Sequence, residues 1–358
     1  MWRYKIASKA IIALVLGVVL LLFLLFGFIF VRNALRRSDS IEVVNQRVVQ
    51  INQNRLATSI EHLEVAFSHI SAEDMGGGIS LGIVENEYHG RIYLESFQDV
   101  ITIGVGNTTY QPLNLILKVF KNYEEVAFYV LGGEAPETEF LFTLDSAYNI
   151  YIPIMLSEQS GVHDRTNKIT VGAFIAPEHF TMYDDDSDLL RFLYAMMLNF
   201  DIILDSYIEL VLRYDGFFAP VGEQPFGGFA IHPNSEPPGD GSLRYLSDSL
   251  VVAGGEAIEL SFFANGSILE DEFTDSYLIV AMLDWHQVRM NDKLYLLIDT
   301  ENTCPSMGQY GQFVIMAPEK PGFYEFSAFM VPNPRRLNTV WSFAPLETAP
   351  RFTIEVVE

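Results

Sequence analysis

The 358 residues carry 46 acidic against 22 basic side chains, a formal charge of −24, with 49% apolar and 13% aromatic residues. That composition excludes a largely disordered chain, and the negative field excludes nucleic acid as a partner. A single cysteine, Cys304, excludes any intramolecular disulfide.

Residues 10–31, Ala10 to Val31, contain no charge and are framed by Arg3, Lys5 and Lys9 on one side and Arg32, Arg36 and Arg37 on the other. A helix of that length, at about 1.5 Å per residue, crosses the hydrocarbon core of a bilayer. The run is too long for a secretory h-region, and its exit, Phe28-Ile29-Phe30-Val31, lacks a small-x-small cleavage site, so an uncleaved signal-anchor is expected. The flanking charges are tied. The short tail, with its α-amino charge, and the indifference of long domains to their own charge place residues 1–9 in the cytoplasm and the rest outside the cell membrane. Residues 1–40 carry six basic side chains against Asp39, a net +5, which leaves −29 on residues 41–358.

Residues 32–78 read as a juxtamembrane helical stalk. Ile41, Val44, Val48 and Ile51 form one stripe of helical period, and Leu56, Ile60, Leu63, Phe67 and Ile70 form a second, out of step with the first. Such a stripe packs on the following domain or self-associates between chains. Gly76-Gly77-Gly78 ends it.

From Ile79 the period becomes two. Short runs at Arg91–Leu94, Val100–Val105, Leu113–Phe120, Val126–Val130, Glu139–Leu144, Asn149–Met155, Ile169–Ile175 and Ala195–Ile203 are separated by turn residues, the signature of an antiparallel β-sandwich over residues 79–219. Residues 220–249 are dense in proline and glycine and read as a linker, with Phe229-Ala230-Ile231 as a candidate edge strand. A second sandwich is expected over residues 250–358, with strands at Val251-Val252, Ile258–Phe263, Tyr277–Leu283, Leu294–Ile298, Gly311–Met316, Gly322–Val331 and Phe352–Val357.

The two halves repeat one pattern. Asn107-Thr108-Thr109 precedes a strand and the turn Asn122-Tyr123, as Asn265-Gly266-Ser267 precedes a strand and the turn Asp284-Trp285. Val171-Gly172-Ala173-Phe174-Ile175-Ala176-Pro177 matches Phe326-Ser327-Ala328-Phe329-Met330-Val331-Pro332, a strand stopped by proline in each half. Paired short-stranded modules behind an anchor, with the proline-glycine turn Ala317–Phe326 feeding a late strand, resemble bacterial membrane-anchored surface proteins with tandem immunoglobulin-like β-sandwich domains. The resemblance implies the fold over residues 79–358. It carries no functional residue, and the Cys…Trp…Cys pattern of antibody domains is absent.

Catalytic signatures are missing. His62 and His69 are seven apart with no His-Glu-x-x-His, and there is no Gly-x-Ser-x-Gly and no phosphate-binding loop. No cofactor is implied. The one candidate metal site is Asp184, Asp185, Asp186 and Asp188, whose carboxylates suit Ca²⁺ without EF-hand spacing; the other reading is a solvated acidic loop. Trp285 and Trp341 are the candidate ligand-facing aromatics. The expected function is a non-enzymatic, single-pass membrane-anchored surface protein. Its two modules would meet an envelope or extracellular protein or glycan. The alternatives are an anchored glycan hydrolase, which requires two convergent acids in a cleft, and an accessory subunit of a larger membrane complex.

Overall fold

The structure is a computed structural model that describes residues 63–71, 78–85, 90–96, 99–157, 166–175, 177, 195–204, 216–218, 222–224, 228–233, 250–265, 276–299, 308–335, 337 and 347–358. The expected membrane span, 10–31, and the first stalk stripe lie outside these residues. No helix among the described residues is long and apolar enough to cross a membrane.

Alternating apolar side chains build the first sandwich from β1 (Ala66–His69), β2 (Ile79–Ile83), β3 (Arg91–Leu94), β4 (Ile101–Asn107), β5 (Leu113–Lys121), β6 (Glu124–Glu125), β7 (Phe128–Val130), β8 (Phe140–Leu144), β9 (Tyr148–Leu156), β10 (Thr166–Ile175) and β11 (Ala195–Leu204). Its outer sheet runs β1-β9-β4-β2, with β7 also on β9; its inner sheet runs β3-β11-β10-β5-β6, with β8 also on β5. Inward residues of both sheets, such as Ile103, Val105 and Ile152 against Leu115, Leu117 and Val171, share one core.

The second sandwich uses β12 (Gly216–Phe218), β13 (Gly222–Gln224), β14 (Gly228–His232), β15 (Leu250–Ala253), β16 (Ala257–Asn265), β17 (Ser276–Leu283), β18 (His286–Gln287), β19 (Tyr295–Asp299), β20 (Gly308–Met316), β21 (Gly322–Pro332), β22 (Glu347–Thr348) and β23 (Phe352–Val357). Its inner sheet runs β12-β19-β17-β21-β23-β15, with β18 on β17 and β22 on β21, and its outer sheet runs β13-β20-β16-β14.

The two inner sheets pack face to face. Leu115, Leu117 and Val119 of β5 point into the first sandwich, whereas Ile116 and Phe120 of the same strand join the core of the second. Phe174 of β10 and Met197 of β11 cross in the same way. Burial on both faces explains why Leu113–Phe120 and Tyr277–Leu283 are almost continuously apolar, since neither side of these strands meets water. The described part of the chain is therefore a four-layer β stack with three apolar interlayers.

Three expectations change. The second stalk stripe ends in a strand, not a helix: Ala66–His69 pairs antiparallel with β9, Phe67 opposite Ile150 and His69 opposite Tyr148. Here an unpaired edge of β9 supplies hydrogen bonds that local helical periodicity cannot foresee. The expected linker is in part sandwich: the candidate edge strand at Phe229-Ala230-Ile231 is found as Gly228–His232 on the edge of β16, and Gly222–Gln224, not expected as a strand, pairs with β20 on the other edge, where proline-rich flanks are tolerated. Gly216–Phe218, placed by sequence in the first module, pairs in parallel with β19 of the second.

Candidate functional site

The repeated turns are the first feature the fold brings together. Asn122 and Tyr123 have φ of 50° and 68°, and Asp284 and Trp285 have φ of 49° and 70°, the paired positive values of a two-residue hairpin turn. The hairpins share one register: Phe120 opposite Glu125 and Lys121 opposite Glu124, then Met282 opposite Gln287 and Leu283 opposite His286. A bulky aromatic residue at positive φ is a strained choice, and here each ring is held by the opposite sandwich. Tyr123 lies edge-on to Tyr295, centroids 6.2 Å apart, and its hydroxyl donates to Pro334 O at 3.2 Å. Trp285 packs on Phe174 at 5.2 Å, and its Nε1 donates to Pro177 O at 3.2 Å. Arg351 lies 5.1 Å over the Trp285 ring and donates to Ile175 O at 3.1 Å. Phe120 meets Phe329 edge-on at 5.0 Å between the two.

Glu125 and Gln287 occupy equivalent positions and exchange hydrogen bonds. The Glu125 backbone N–H donates to Gln287 Oε1 at 2.8 Å, and the Gln287 backbone N–H donates to Glu125 Oε2 at 3.0 Å. Gln287 Nε2 also donates to Tyr123 O at 2.9 Å and Leu294 O at 3.0 Å. The seam thus has local twofold character, as two copies of one module would generate.

Its charges are not symmetric. Lys118, fully buried, donates to Glu125 Oε1 and lies 3.8 Å from Glu139 Oε2. His286, half-exposed, places Nδ1 3.5 Å from Glu125 Oε1. Burial pushes the Glu125 carboxyl up, but the hydrogen bond to His286 and the Lys118 ammonium outweigh it, with help from the Gln287 N–H, and hold it down at about 2. The same contact with Glu125 raises the His286 imidazole against the opposing effects of burial and Lys118. Away from the seam centre, Lys168 and Asp201 form a buried pair at 2.9 Å beside Thr170 and Asn199, and burial drives the Lys168 ammonium down against the attraction of Asp201.

Beside Glu139 the first sandwich holds a cavity of about 660 Å³. Leu63, Phe128, Val130 and Phe140 form its apolar lining, and Glu134, Glu137 and Glu139 its carboxylates. All three glutamates come from the connection between β7 and β8, which Gly132 and Gly133 open with a tight turn.

The residues singled out by sequence fall elsewhere. Trp285 is 1% exposed and is a wedge between the sandwiches, so it is not ligand-facing; a turn position suggested exposure, and the opposing sheet covers it. Trp341 and the aspartates Asp184, Asp185, Asp186 and Asp188 lie outside the described residues. Among the described residues no three His, Cys, Asp or Glu side chains are placed to hold a metal ion. His69 sits in β1 against the Tyr148 ring at 5.2 Å, and His62 lies outside the described residues. Asn107 is fully buried, its amide donating to Gln111 O, Leu144 O and Asp145 O, a structural knot at the end of β4. Sequence reasoning missed the cavity and the Lys118 cluster. A lysine in the middle of an apolar run, Leu117-Lys118-Val119, was the available signal for the second, since a buried ammonium requires a carboxylate partner.

No family model matches the chain, and no curated protein matches it in sequence. Among solved structures it is similar to red sea bream transglutaminase, at 7% identity over 84% of this chain and 32% of that one, TM-score 0.22. It is also similar to the E. coli chaperone DraB, at 11% identity over 78% and 97%, TM-score 0.22. A third likeness is to the C-terminal domain of the Streptococcus agalactiae AgI/II polypeptide BspA, at 8% identity over 81% and 99%, TM-score 0.22. The chain spans 32% of the transglutaminase's length. Likenesses this distant carry no argument about activity; the sandwich architecture stands on the strand pairings and the shared cores.

Proposed function

We propose that this is a non-enzymatic membrane-anchored surface protein. Residues 10–31 tether it, residues 1–9 face the cytoplasm, and the immunoglobulin-like sandwiches form one stiff structural or binding block in the cell envelope. The observation that carries this reading is the seam. Each sandwich commits its inner face and its aromatic hairpin tip to the other, so the pair offers partners its outer sheets and connecting loops. A block of that kind transmits position and force from an anchor, where a flexibly linked pair would not. The carboxylates of the cavity belong to six consecutive residues, whereas glycosidic cleavage requires an acid and a second carboxylate flanking the scissile bond.

The test is topology in intact cells. The full chain, expressed in a bacterium, should stay with the membrane through alkaline carbonate extraction, and protease added outside should remove the β block while sparing an N-terminal tag. Release by carbonate, or a β block protected until lysis, would overturn the reading.

A further inference from the structure

We infer that the end of the first sandwich away from its seam hairpin is a binding surface for a neutral glycan, an envelope chain of N-acetylhexosamines. The inference rests on the outward-facing reading above and names the partner of that block. β5 starts at this end, at Leu113, and finishes in the seam hairpin at Lys121. Among the described residues four Phe, Tyr or Trp side chains are exposed, and three of them gather here: Phe67 of β1, Tyr148 of β9, and Tyr110 of the connection between β4 and β5, which is 83% exposed. His69, also exposed, joins them edge-on to Tyr148.

The segments that carry these rings are tied together by buried hydrogen bonds. The Asn107 amide reaches Gln111 O, Leu144 O and Asp145 O, and its Oδ1 accepts the Thr109 N–H at 2.9 Å. Ser146 Oγ donates to Thr109 O at 2.6 Å, and the Ile70 N–H donates to Ala147 O at 2.7 Å. Three segments are thus fixed as one unit, and Tyr110 and Tyr148 meet a ligand with little backbone left to order. Charge selects that ligand. In a chain with 46 acidic and 22 basic side chains, residues 66–71, 78–82, 104–112 and 145–151 carry one charged side chain, Asp145. A cation finds no carboxylate cluster there, and the net charge of the chain repels a polyanion. Exposed tyrosines among Ser, Thr, Asn and Gln instead suit a sugar, stacking on its C–H face and exchanging hydrogen bonds with its hydroxyl and acetamide groups. The adjoining outer sheet extends the surface. The hydroxyls of Tyr151 and Ser68 lie 3.1 Å apart, and beside the Tyr151 ring Gly104 and Gly82 leave a strip of bare backbone. A Cβ at Gly82 would meet nothing within 4 Å, so an extended chain has room to lie across it.

The test is calorimetric titration of the full chain in a polyoxyethylene detergent, which carries no sugar. Chitohexaose is the probe and hexagalacturonate the charged control. Saturable binding of the first and none of the second is expected. Tyr110→Ala removes an exposed ring and should weaken binding about tenfold, while Tyr93→Ala, an exposed ring on β3 at the opposite end of the sandwich, should leave it unchanged. Absence of saturation with chitohexaose would overturn the assignment, as would equal weakening by both variants or tighter binding of hexagalacturonate. So would a full chain that sediments as a dimer and becomes monomeric on Tyr110→Ala, which would give the surface to a second copy. The titration does not depend on orientation in the membrane. A failed titration beside an outward β block removes the glycan site alone, and binding beside a failed topology experiment removes the anchored reading and leaves the sugar-binding surface.

Discussion

The two hairpins at the seam are equivalent in backbone and different in charge. Residues 122–125 and 284–287 share turn geometry, register and an aromatic tip, but the first carries Glu125 over a buried Lys118 and the second carries Gln287 opposite β17, a strand of uncharged residues. Where twofold-related positions touch, identical residues meet themselves. Two glutamates there would place like charges together in a half-buried site, whereas Glu125 opposite Gln287 lets each side chain accept the other's backbone N–H. Duplication supplies the geometry of such a seam, and divergence at one position of the pair relieves its electrostatic conflict.

The heaviest blow to this arrangement is Trp285→Ala. The lost ring leaves a cavity under Arg351 and Phe174, and a destabilisation of about 3–5 kcal/mol is expected in denaturant unfolding. The single transition should split into two as the sandwiches uncouple. Tyr123→Phe keeps the ring and loses only the bond to Pro334 O, so about 1 kcal/mol is expected, with one transition retained.

Lys118→Met comes next. It strips the cation from Glu125 and Glu139, each partly exposed, and a loss of about 2 kcal/mol is expected at pH 7 in denaturant unfolding. Gln287→Glu makes the seam symmetric and like-charged. A cost of about 1–2 kcal/mol at neutral pH is expected, reversed by the paired change Glu125→Gln in a double-mutant cycle. An additive cycle would show that the two side chains do not sense each other.

The smallest effect is the pH dependence of the parent protein. The Glu125 carboxyl titrates at about 2 in the folded state, below its ordinary value of 4.5, so its contribution is complete above pH 4.5 and fades as pH falls toward 2. His286 is raised above 6.5, so its contribution is complete below that value and is lost as pH rises through the folded value. Stability should therefore pass through a broad maximum between the two, and His286→Asn should remove the decline on the alkaline side and shrink the acid limb, because the Glu125 carboxyl then loses its hydrogen bond from His286 and keeps only Lys118 and the Gln287 N–H.

The β class, most strand positions and the duplication were legible because each rests on local chemistry: alternation, turn residues, and strands stopped by proline. The strand expected at Ile169–Ile175 is Thr166–Ile175, and that expected at Tyr277–Leu283 is Ser276–Leu283. The aligned β10 and β21 do lie beside equivalent strands, though slid by two residues: Ala173 faces Leu117, and Ala328 faces Ala281 where Ile279 is Leu117's equivalent. An even slip keeps every side chain on its own face, so no pattern in the sequence reports it.

What the tertiary structure alone decided is which apolar surface faces which. Composition and period determined that the chain forms β-sheets with much to bury, and the alternation within β5 already marked two faces. Whether the second face met solvent, lipid or another module depended on contacts between residues more than a hundred positions apart, such as Tyr123 with Pro334 and Trp285 with Pro177. The same holds for Ala66–His69 and Gly222–Gln224, whose local patterns suggested a helix and a linker. Free sheet edges elsewhere in the chain offered them a full ladder of hydrogen bonds, and a backbone that can pair outweighs a propensity of tenths of a kilocalorie.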